Sequence, residues 1–453
     1  MIDRNQQNRR EFVSQMGAGF GSIAMAQQLL ADASGEHLHH RPRAKSIIQL
    51  IMNGGPFQGD MFDPKPLLNK YEGQRPDEVD FRTERKTGGL LGCPFKFTPS
   101  GESGLPVSEL MPRLSNHIDD MSILRSVYTD NPNHGPALLM LNNGTITPTV
   151  PCLGSWLMYG LGSENSNLPG YIVLCPGRPV RFSILWTSAF LPPEHSGTYV
   201  NHSTIEPEKM IPFLSSKSGT LSQQRRQLEL VKSLNDSRRD AKGRNAILDA
   251  RINAMETAFR MQTSASEAFD IGLETEQCRS EYGEGHFANG CLLARRLVER
   301  GVRFVQVYYG NGQPWDTHEG HNDKVPGLCR SIDGPIDALL TDLKRRGLFD
   351  DTVVVWGGEF GRTPVSENGN GRDHNHYGMT MWMAGGGVRG GYAHGATDDF
   401  GFRAVQDRVH MHDLHATVLH LLGIDHERLT YRYAGRDFRL TDVAGNVIHD
   451  VIA

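Results

Sequence analysis

Short, nearly continuous apolar runs alternate with amphipathic stretches along much of this chain. The apolar runs have the length and character of strands buried on both faces, and they predict strands at Ser46–Met52, Met121–Val127, Tyr171–Leu174, Arg303–Tyr308, Thr352–Trp356 and Thr380–Ala384. The amphipathic stretches predict helices at Cys152–Tyr159, Gly290–Arg300, Cys329–Arg346 and Asp413–Leu422. Strands that alternate with helices indicate an α/β fold with a doubly wound sheet.

Three longer stretches depart from this alternation. Residues 221–283 are charged and helix-favouring, and they predict a helical insertion in a domain that spans residues 34–453. Residues 53–116 and 175–220 are rich in Gly, Pro and Ser and are too long to be simple connections. We expect these two segments to form substrate-facing loops.

The first 33 residues have the pattern of a twin-arginine export signal. Arg9 and Arg10 precede a Gly- and Ala-rich apolar stretch from Met16 to Ala31, and Ala31-Asp32-Ala33 resembles a cleavage site. The alternative is an ordinary amphipathic helix that carries two arginines. The export interpretation predicts recognition by the twin-arginine machinery and a mature protein in the periplasm, at the cell surface or secreted.

Composition and charge exclude several classes of partner. A formal net charge of −5 offers no basic face for nucleic acid. Beyond the export signal no run of apolar residues is long enough to predict a transmembrane span. The six cysteines include no C-x-x-C pair, which excludes a zinc ribbon.

The last third of the chain contains seven side chains of the types that bind divalent cations. They are Asp316, His318, His321, Glu359, Asp373, His374 and His376, in three clusters that each follow a predicted strand of parallel type. In open α/β sheets ligands bind beyond the carboxyl ends of the strands, and carboxylate with imidazole suits zinc or manganese. The alternative is that these are turn residues that satisfy backbone groups.

Several motifs together resemble one known family. They are I-I-Q-L-I-M-N-G-G-P-F-Q-G-D-M-F-D-P-K-P, T-D-N-P-N-H-G-P-A, W-D-T-H, G-G-E-F-G-R-T-P, G-R-D-H-N-H-Y-G and H-D-L-H-A-T-V-L-H-L-L-G-I-D-H. They resemble the DUF1501 family of exported bacterial proteins over nearly the whole mature chain. That family is grouped with alkaline phosphatases and sulfatases. The resemblance therefore implies an alkaline phosphatase-like three-layer sandwich with a mostly parallel central sheet, helical and loop insertions, and one or two metal ions at the strand ends.

The resemblance also implies roles for individual residues. One ion would be held by Asp316 with His318 or His321, completed by His376 or His374. A second ion usually takes an Asp-His pair, where this chain has Glu359-Phe360, and an aspartate after the first strand, where it has Asn53. Asp60 and Asp63 lie nearby as substitute ligands. The implied cofactor is one or two divalent ions, zinc or manganese first and calcium as a further candidate.

The nucleophile of the resembling superfamily stands at the start of the helix after the second strand. The segment Thr129-Asp130-Asn131-Pro132-Asn133-His134 lies there and resembles T-F-P-N-H of nucleotide pyrophosphatases, with one extra residue. Thr129 is the candidate nucleophile and Asn133 a candidate substrate contact. His134 could be a metal ligand, a proton donor or a core histidine. The alternative is a turn in which Asp130 or Asn131 caps the helix.

Two arginines beside the presumed ligands are candidate anion clamps. Arg362 and Arg372 could each hold two oxygens of a phosphate or sulfate, or could pair with an adjacent carboxylate. The C-x-P-S-R motif of formylglycine sulfatases is absent. We therefore predict an exported metal-dependent hydrolase of small-molecule or polysaccharide phosphate or sulfate esters, with attack by Thr129 or a metal-bound water. The alternative is a non-catalytic exported binding or surface protein on a degenerate scaffold of this kind.

Overall fold

The computed structural model describes residues 38–76, 81–210, 220–243 and 267–453, with a few single positions between 245 and 260. The predicted export signal, residues 1–33, lies outside the described residues. Part of the predicted insertion at residues 221–283 also lies outside them.

Helices and strands alternate as far as the strand Thr352–Gly357, as the apolar pattern predicts, and the strands from there to Val409–His410 then follow one another without an α-helix between them. The strands are β1 (Ser46–Ile51), β2 (Phe97–Ser100), β3 (Leu105–Ser108), β4 (Met121–Tyr128), β5 (Tyr171–Leu174), β6 (Thr198–Val200), β7 (Phe304–Tyr308), β8 (Thr352–Gly357), β9 (Gly361–Glu367), β10 (Gly371–Asn375), β11 (Met379–Ala384), β12 (Tyr392–His394), β13 (Ala396–Thr397), β14 (Ala404–Gln406), β15 (Val409–His410), β16 (Tyr431–Tyr433) and β17 (Arg436–Phe438). The helices are α1 (Pro66–Lys70), α2 (His134–Asn143), α3 (Leu153–Leu161), α4 (Pro207–Met210), α5 (Leu221–Lys242), α6 (Glu276–Tyr282), α7 (His286–Glu299), α8 (His321–Arg345) and α9 (Met411–Leu421). None of these helices, within the part of the chain that is described, is long and apolar enough to cross a membrane.

A nine-stranded sheet forms the centre of the molecule. Its order is β12-β4-β11-β8-β1-β7-β5-β6, and β15 pairs with β4. β1 is parallel to β7 and β8, β5 is parallel to β6 and β7, and β12 and β15 are parallel to β4. β11 is antiparallel to both of its neighbours, β4 and β8. The prediction of an α/β fold with a mostly parallel central sheet is confirmed.

Helices cover both faces of this sheet, and the alternation of side chains along β1 shows how. Ile48 and Leu50 belong to the core that includes residues of α7 and α8, whereas Ile47 and Ile51 belong to the core that includes residues of α2, α3 and α9. Because both faces are buried, the strands are almost entirely apolar. This is why the sequence predicts the bounds of the central strands closely.

The antiparallel strand β11 explains the position of the predicted cluster that contains Asp373 and His374. β9 and β10 form an antiparallel hairpin between β8 and β11. Asp373 and His374 lie in β10 and precede β11, so the expectation that every cluster follows a strand of parallel type is wrong for this one. The amino end of an antiparallel strand lies at the same edge as the carboxyl ends of its neighbours. The cluster therefore reaches the predicted edge because β11 is reversed.

Two buried histidines predict a pH dependence of stability. Burial lowers the pKa of His202 to about 3 and that of His415 to about 3, against about 6.5 in an unfolded chain. Below pH 6.5 these histidines are protonated in the unfolded chain but stay neutral in the folded protein. The free energy of unfolding should therefore fall from about pH 6.5 towards pH 3, by about 1.4 kcal/mol per pH unit for each histidine. Urea unfolding between pH 7 and pH 5 measures this slope. His202→Leu should remove its share of the slope, and an unchanged slope in the variant would contradict the assignment.

Candidate functional site

Three histidines converge on one aspartate at the edge of the sheet. Asp316 Oδ1 lies 2.9 Å from His318 Nε2 and 3.2 Å from His374 Nε2. Asp316 Oδ2 lies 3.3 Å from His134 Nε2. The Nε2 atoms of His318 and His374 are 3.0 Å apart. We call His134, Asp316, His318 and His374 the His-Asp cluster.

The members of the His-Asp cluster come from separate parts of the chain. His134 is the first residue of α2, which follows β4; Asp316 and His318 lie between β7 and α8; His374 lies in β10, ahead of β11. Two glycines let these segments approach. A Cβ on Gly54, whose φ is +116°, would lie 2.4 Å from the backbone nitrogen of Asp316, and one on Gly371 would lie 1.7 Å from the carbonyl oxygen of His318. Any larger residue would push the segments apart.

Each histidine of the cluster has a glutamate on its other ring nitrogen. The pairs are His134 Nδ1 with Glu359 Oε1 at 2.7 Å, His374 Nδ1 with Glu84 Oε2 at 3.0 Å, and His318 Nδ1 with Glu367 Oε2. An ionised carboxylate only accepts hydrogen bonds, so each Nδ1 carries the hydrogen. In a neutral imidazole the Nε2 atom is then a bare lone pair. Three such lone pairs facing a carboxylate are stable together only if positive charge lies between them.

The pKa shifts in the cluster reflect a balance between burial and the contacts among its members. Burial raises the pKa of Asp316, but its contacts with the three histidines outweigh burial and hold that pKa far below the usual range. The hydrogen bond to Asp316 raises the pKa of His318. Burial lowers the pKa of His134, yet the contacts with Asp316 and Glu359 outweigh it and the pKa is raised. For His374 burial prevails and the pKa is lowered. The cluster thus attracts positive charge from protons or from a cation.

The donor set fits a divalent metal ion. Four ligands at about 2.0–2.1 Å around a tetrahedral ion lie about 3.3 Å from one another. The three Nε2–Oδ contacts described above and the Nε2–Nε2 contact of His318 with His374 span 2.9–3.3 Å, and ligand atoms of His134, Asp316 and His374 all lie within 4.8 Å of one another. Imidazole nitrogen with one carboxylate suits zinc or manganese. Glutamates on the far nitrogens are the partners that orient metal-binding histidines. Asp373 adds a further carboxylate, with ligand atoms within 4.8 Å of those of Glu84 and His374, and of His318 and Glu367.

Two of the predicted ligands lie apart from the cluster. His321 donates or accepts at both ring nitrogens, with Thr317 Oγ1 at 2.6 Å and Asp60 Oδ2 at 2.7 Å. His321 is the first residue of α8, which begins eight residues before the predicted helix start at Cys329. Its place on the helix directs the ring to Thr317 and Asp60. The ring of His376 packs against Tyr377, with centroids 3.9 Å apart. Asp60 is therefore paired with His321 rather than with an imidazole of the cluster.

On the side of the site next to β1, two of the residues that the sequence offers for a second ion are bound to the protein itself. Asn53 Nδ2 donates to the carbonyls of Gly310 and Gly312. Asp63 accepts from Thr397 Oγ1 at 2.7 Å and pairs with Lys65 at 3.0 Å. Phe360 occupies the position of the implied second histidine, and its ring lies 4.8 Å from that of His134 and 4.6 Å from that of His374.

The two arginines predicted as anion clamps are buried and bound to the protein itself. Arg362 donates to the carbonyls of Gly54, Gly55 and Arg372 and to Asp316. Arg372 donates to the carbonyls of Thr363 and Leu91 and lies over the ring of Phe57. Both brace the backbone around the cluster.

Thr129 and Asn133 lie in the β4–α2 connection, which leads to His134. Thr129 is buried, its N–H donates to the carbonyl of His376 at 3.0 Å, and its Oγ1 has no hydrogen-bond partner among the described residues. Asn133 is exposed and precedes the first residue of α2.

Sequence reasoning missed Glu84, Arg85 and Glu367, all of which touch this site. Arg85 donates through its backbone to Asp373 Oδ2 at 2.8 Å and through Nη1 to Glu367 Oε1 at 3.1 Å. Glu84 and Arg85 lie in the 53–116 segment that the sequence marks as substrate-facing, but no local spacing singles them out.

The solved structures that resemble this chain are distant. A lipoteichoic acid synthase from Listeria monocytogenes is 10% identical over 87% of this chain and 74% of its own, with a TM-score of 0.40. A sulfatase from Pseudoalteromonas sp. is 10% identical over 90% and 72%, with a TM-score of 0.35. A protein in the alkaline phosphatase superfamily from Vibrio parahaemolyticus is 11% identical over 86% and 68%, with a TM-score of 0.36. These likenesses carry no conclusion about activity.

The sequence itself matches one family model over almost its full length. No curated protein matches the chain at a significant level. The model described as "Protein of unknown function (DUF1501)" matches residues 44–452, which include every residue of the His-Asp cluster. This chain belongs to the DUF1501 family.

Proposed function

We propose that this protein is an exported, divalent-metal-dependent hydrolase of phosphate or sulfate esters. The observation that carries the proposal is the convergence of three Nε2 atoms on Asp316, each histidine having its Nδ1 held by a glutamate. Three imidazoles that are oriented by glutamates and present Nε2 to one shared carboxylate form the arrangement that a cation site requires.

The residues around the site would have three roles: to bind the ion, to orient its ligands and to balance charge. His134, His318, His374 and Asp316 would hold the ion, which is zinc or manganese on this donor set, with calcium as a further candidate. Glu84, Glu359 and Glu367 hold the imidazoles in the orientation that presents Nε2. The bound ion would polarise the ester and stabilise the negative charge that develops on it. Arg362 balances the charge of Asp316 from inside the protein.

Thr129 is the nucleophile that we propose, with a water molecule as the alternative. Its hydroxyl would lose a proton and bond to phosphorus or sulfur while the ester oxygen leaves and takes up a proton. Water would then release the bound group and restore the hydroxyl. The support is the position of Thr129 at the carboxyl end of β4 and a buried Oγ1 that no described residue engages. Asn133, exposed at the start of α2, would contact the substrate.

Location and substrate size extend the proposal. The twin arginine at Arg9 and Arg10 supports export through the twin-arginine pathway to the periplasm, the cell surface or the medium. A small-molecule ester and a polysaccharide ester both suit a site at the exposed edge of a sheet.

Metal removal tests the proposal. We expect the purified protein to contain about one equivalent of zinc or manganese, to lose it to a chelator and to regain it on addition of the ion. We also expect the metal-loaded form, and not the chelated form, to hydrolyse at least one of a panel of nitrophenyl phosphate monoesters, phosphate diesters, phosphonates and sulfates. A folded protein that stays metal-free after incubation with zinc, manganese and calcium would refute the proposal. Stable metal uptake with no turnover on any ester would favour a non-catalytic binding protein.

A further inference from the structure

Arg85 brings a guanidinium to the His-Asp cluster from the solvent side. Its backbone is anchored on Asp373 and its Nη1 on Glu367, the glutamate that contacts His318. The preceding residue, Glu84, contacts His374. Glu84 and Arg85 therefore connect one short segment to two cluster histidines, directly to His374 and through Glu367 to His318. The Arg85 side chain is nevertheless 54% exposed.

The remaining donors of Arg85 face no described residue. Nη1 is held by Glu367, whereas Nε and Nη2 make no hydrogen bond within the described part of the chain. Arg362, by contrast, uses all three of its nitrogens on carbonyls and on Asp316, and Arg372 is fully buried. A guanidinium has five N–H donors in one plane, so Arg85 can offer an edge to a ligand and the two buried arginines cannot.

Negative charge around the cluster favours a further cation near it when the substrate is an anion. Five carboxylates lie around the cluster, namely Glu84, Asp316, Glu359, Glu367 and Asp373. The three glutamates contact the cluster histidines, and Asp316 pairs with the buried Arg362. The bound ion and Arg85 would then supply the positive charge that a phosphate or sulfate group meets as it approaches.

We propose that Arg85 binds the anionic group of the substrate and so selects phosphate or sulfate esters over uncharged esters. This inference rests on the metal-dependent hydrolase proposed above and names the residue that recognises its substrate class. The anchored Nη1 holds the guanidinium plane, and Nε with Nη2 donates to two oxygens of the anion. Arg85 thereby supplies binding, while the His-Asp cluster and Thr129 act on the ester bond.

Anion binding to the zinc-loaded protein tests this role separately from turnover. Wild type, Arg85→Ala, Arg85→Lys and the control Arg432→Ala are titrated with inorganic phosphate and with inorganic sulfate by calorimetry, after elemental analysis of each sample. Arg432 is exposed and pairs with Asp437 on a distant hairpin, so it controls for loss of one surface charge. We expect Arg85→Ala to weaken anion binding by about 10- to 100-fold at full zinc occupancy, Arg85→Lys to weaken it less, and Arg432→Ala to leave it unchanged.

The outcomes separate this inference from the proposed function. Full zinc occupancy with unweakened anion binding in Arg85→Ala would overturn the role of Arg85 and leave the hydrolase untouched. Loss of zinc in both Arg85 variants would show that Arg85 only braces Glu367 and Asp373, which also overturns it. A zinc-loaded wild type that binds neither anion overturns the selection of anionic esters. A wild type that takes up none of zinc, manganese and calcium refutes the proposed function instead.

Discussion

Changing Asp316 to Asn should empty the His-Asp cluster of metal and lower ester hydrolysis by about 10,000-fold or more. Asp316 is the carboxylate that all three Nε2 atoms approach. Asparagine keeps the shape of the side chain but removes the negative charge that makes the site a cation site. Elemental analysis and the rise in melting temperature on adding zinc measure the effect, because a ligand that binds only the folded state stabilises it in proportion to its occupancy.

Two matched variants make the result specific. His376→Gln removes a histidine that the sequence proposes as a ligand but that lies against Tyr377, and we expect it to keep its metal. Glu367→Gln leaves the cluster intact but weakens the hold on His318 Nδ1, and we expect about 10- to 100-fold weaker metal binding. If Asp316→Asn retained stoichiometric metal, or His376→Gln lost it, the assignment of the cluster would be wrong.

The central sheet could be predicted from sequence because its physical cause is visible there. A strand buried on both faces must be apolar at nearly every position, and β1, β5 and β8 match their predicted ranges to within one residue. The β9–β10 hairpin could not be predicted in the same way. It is buried but rich in polar residues, because these residues satisfy one another: Arg362 donates to the carbonyl of Arg372, Arg372 donates to the carbonyl of Thr363, and Thr363 Oγ1 accepts from the backbone of Asp373.

The sequence likewise predicts some residues of the candidate site and not others. Asp316, His318 and His374 could be named because their side-chain types and their place after apolar runs both point to metal. Glu84 could not, since it lies in a long loop and meets His374 across 290 positions of the chain. The start of α8 at His321 could not be predicted, because Pro326 interrupts the helical pattern ahead of Cys329, and a residue on a helix presents its ring differently from one in a loop. The contacts of Arg362 with backbone carbonyls also depend on the fold, so the sequence alone could not predict them.

Changing Thr129 to Val should lower turnover by about 1,000-fold or more while leaving the fold as stable as wild type or more so. The hydroxyl of Thr129 is buried without a hydrogen-bond partner among the described residues, and such a group costs about 1–3 kcal/mol of stability. Valine has nearly the same shape without the polar group, so the free energy of unfolding should not fall. Removal of a nucleophile, by contrast, abolishes most of the chemical step.

A serine variant then distinguishes the two proposed sources of attack. Thr129→Ser retains the hydroxyl and should keep much of the turnover, and acid quench of the wild type during turnover should trap a phosphorylated or sulfated Thr129 that mass spectrometry detects. If Thr129→Val turns over at the wild-type rate, water is the nucleophile and the buried hydroxyl is only a structural cost. Lost turnover together with lost stability would instead mean that the Thr129 hydroxyl has a structural partner, because a group that supports the fold cannot be removed without lowering the free energy of unfolding.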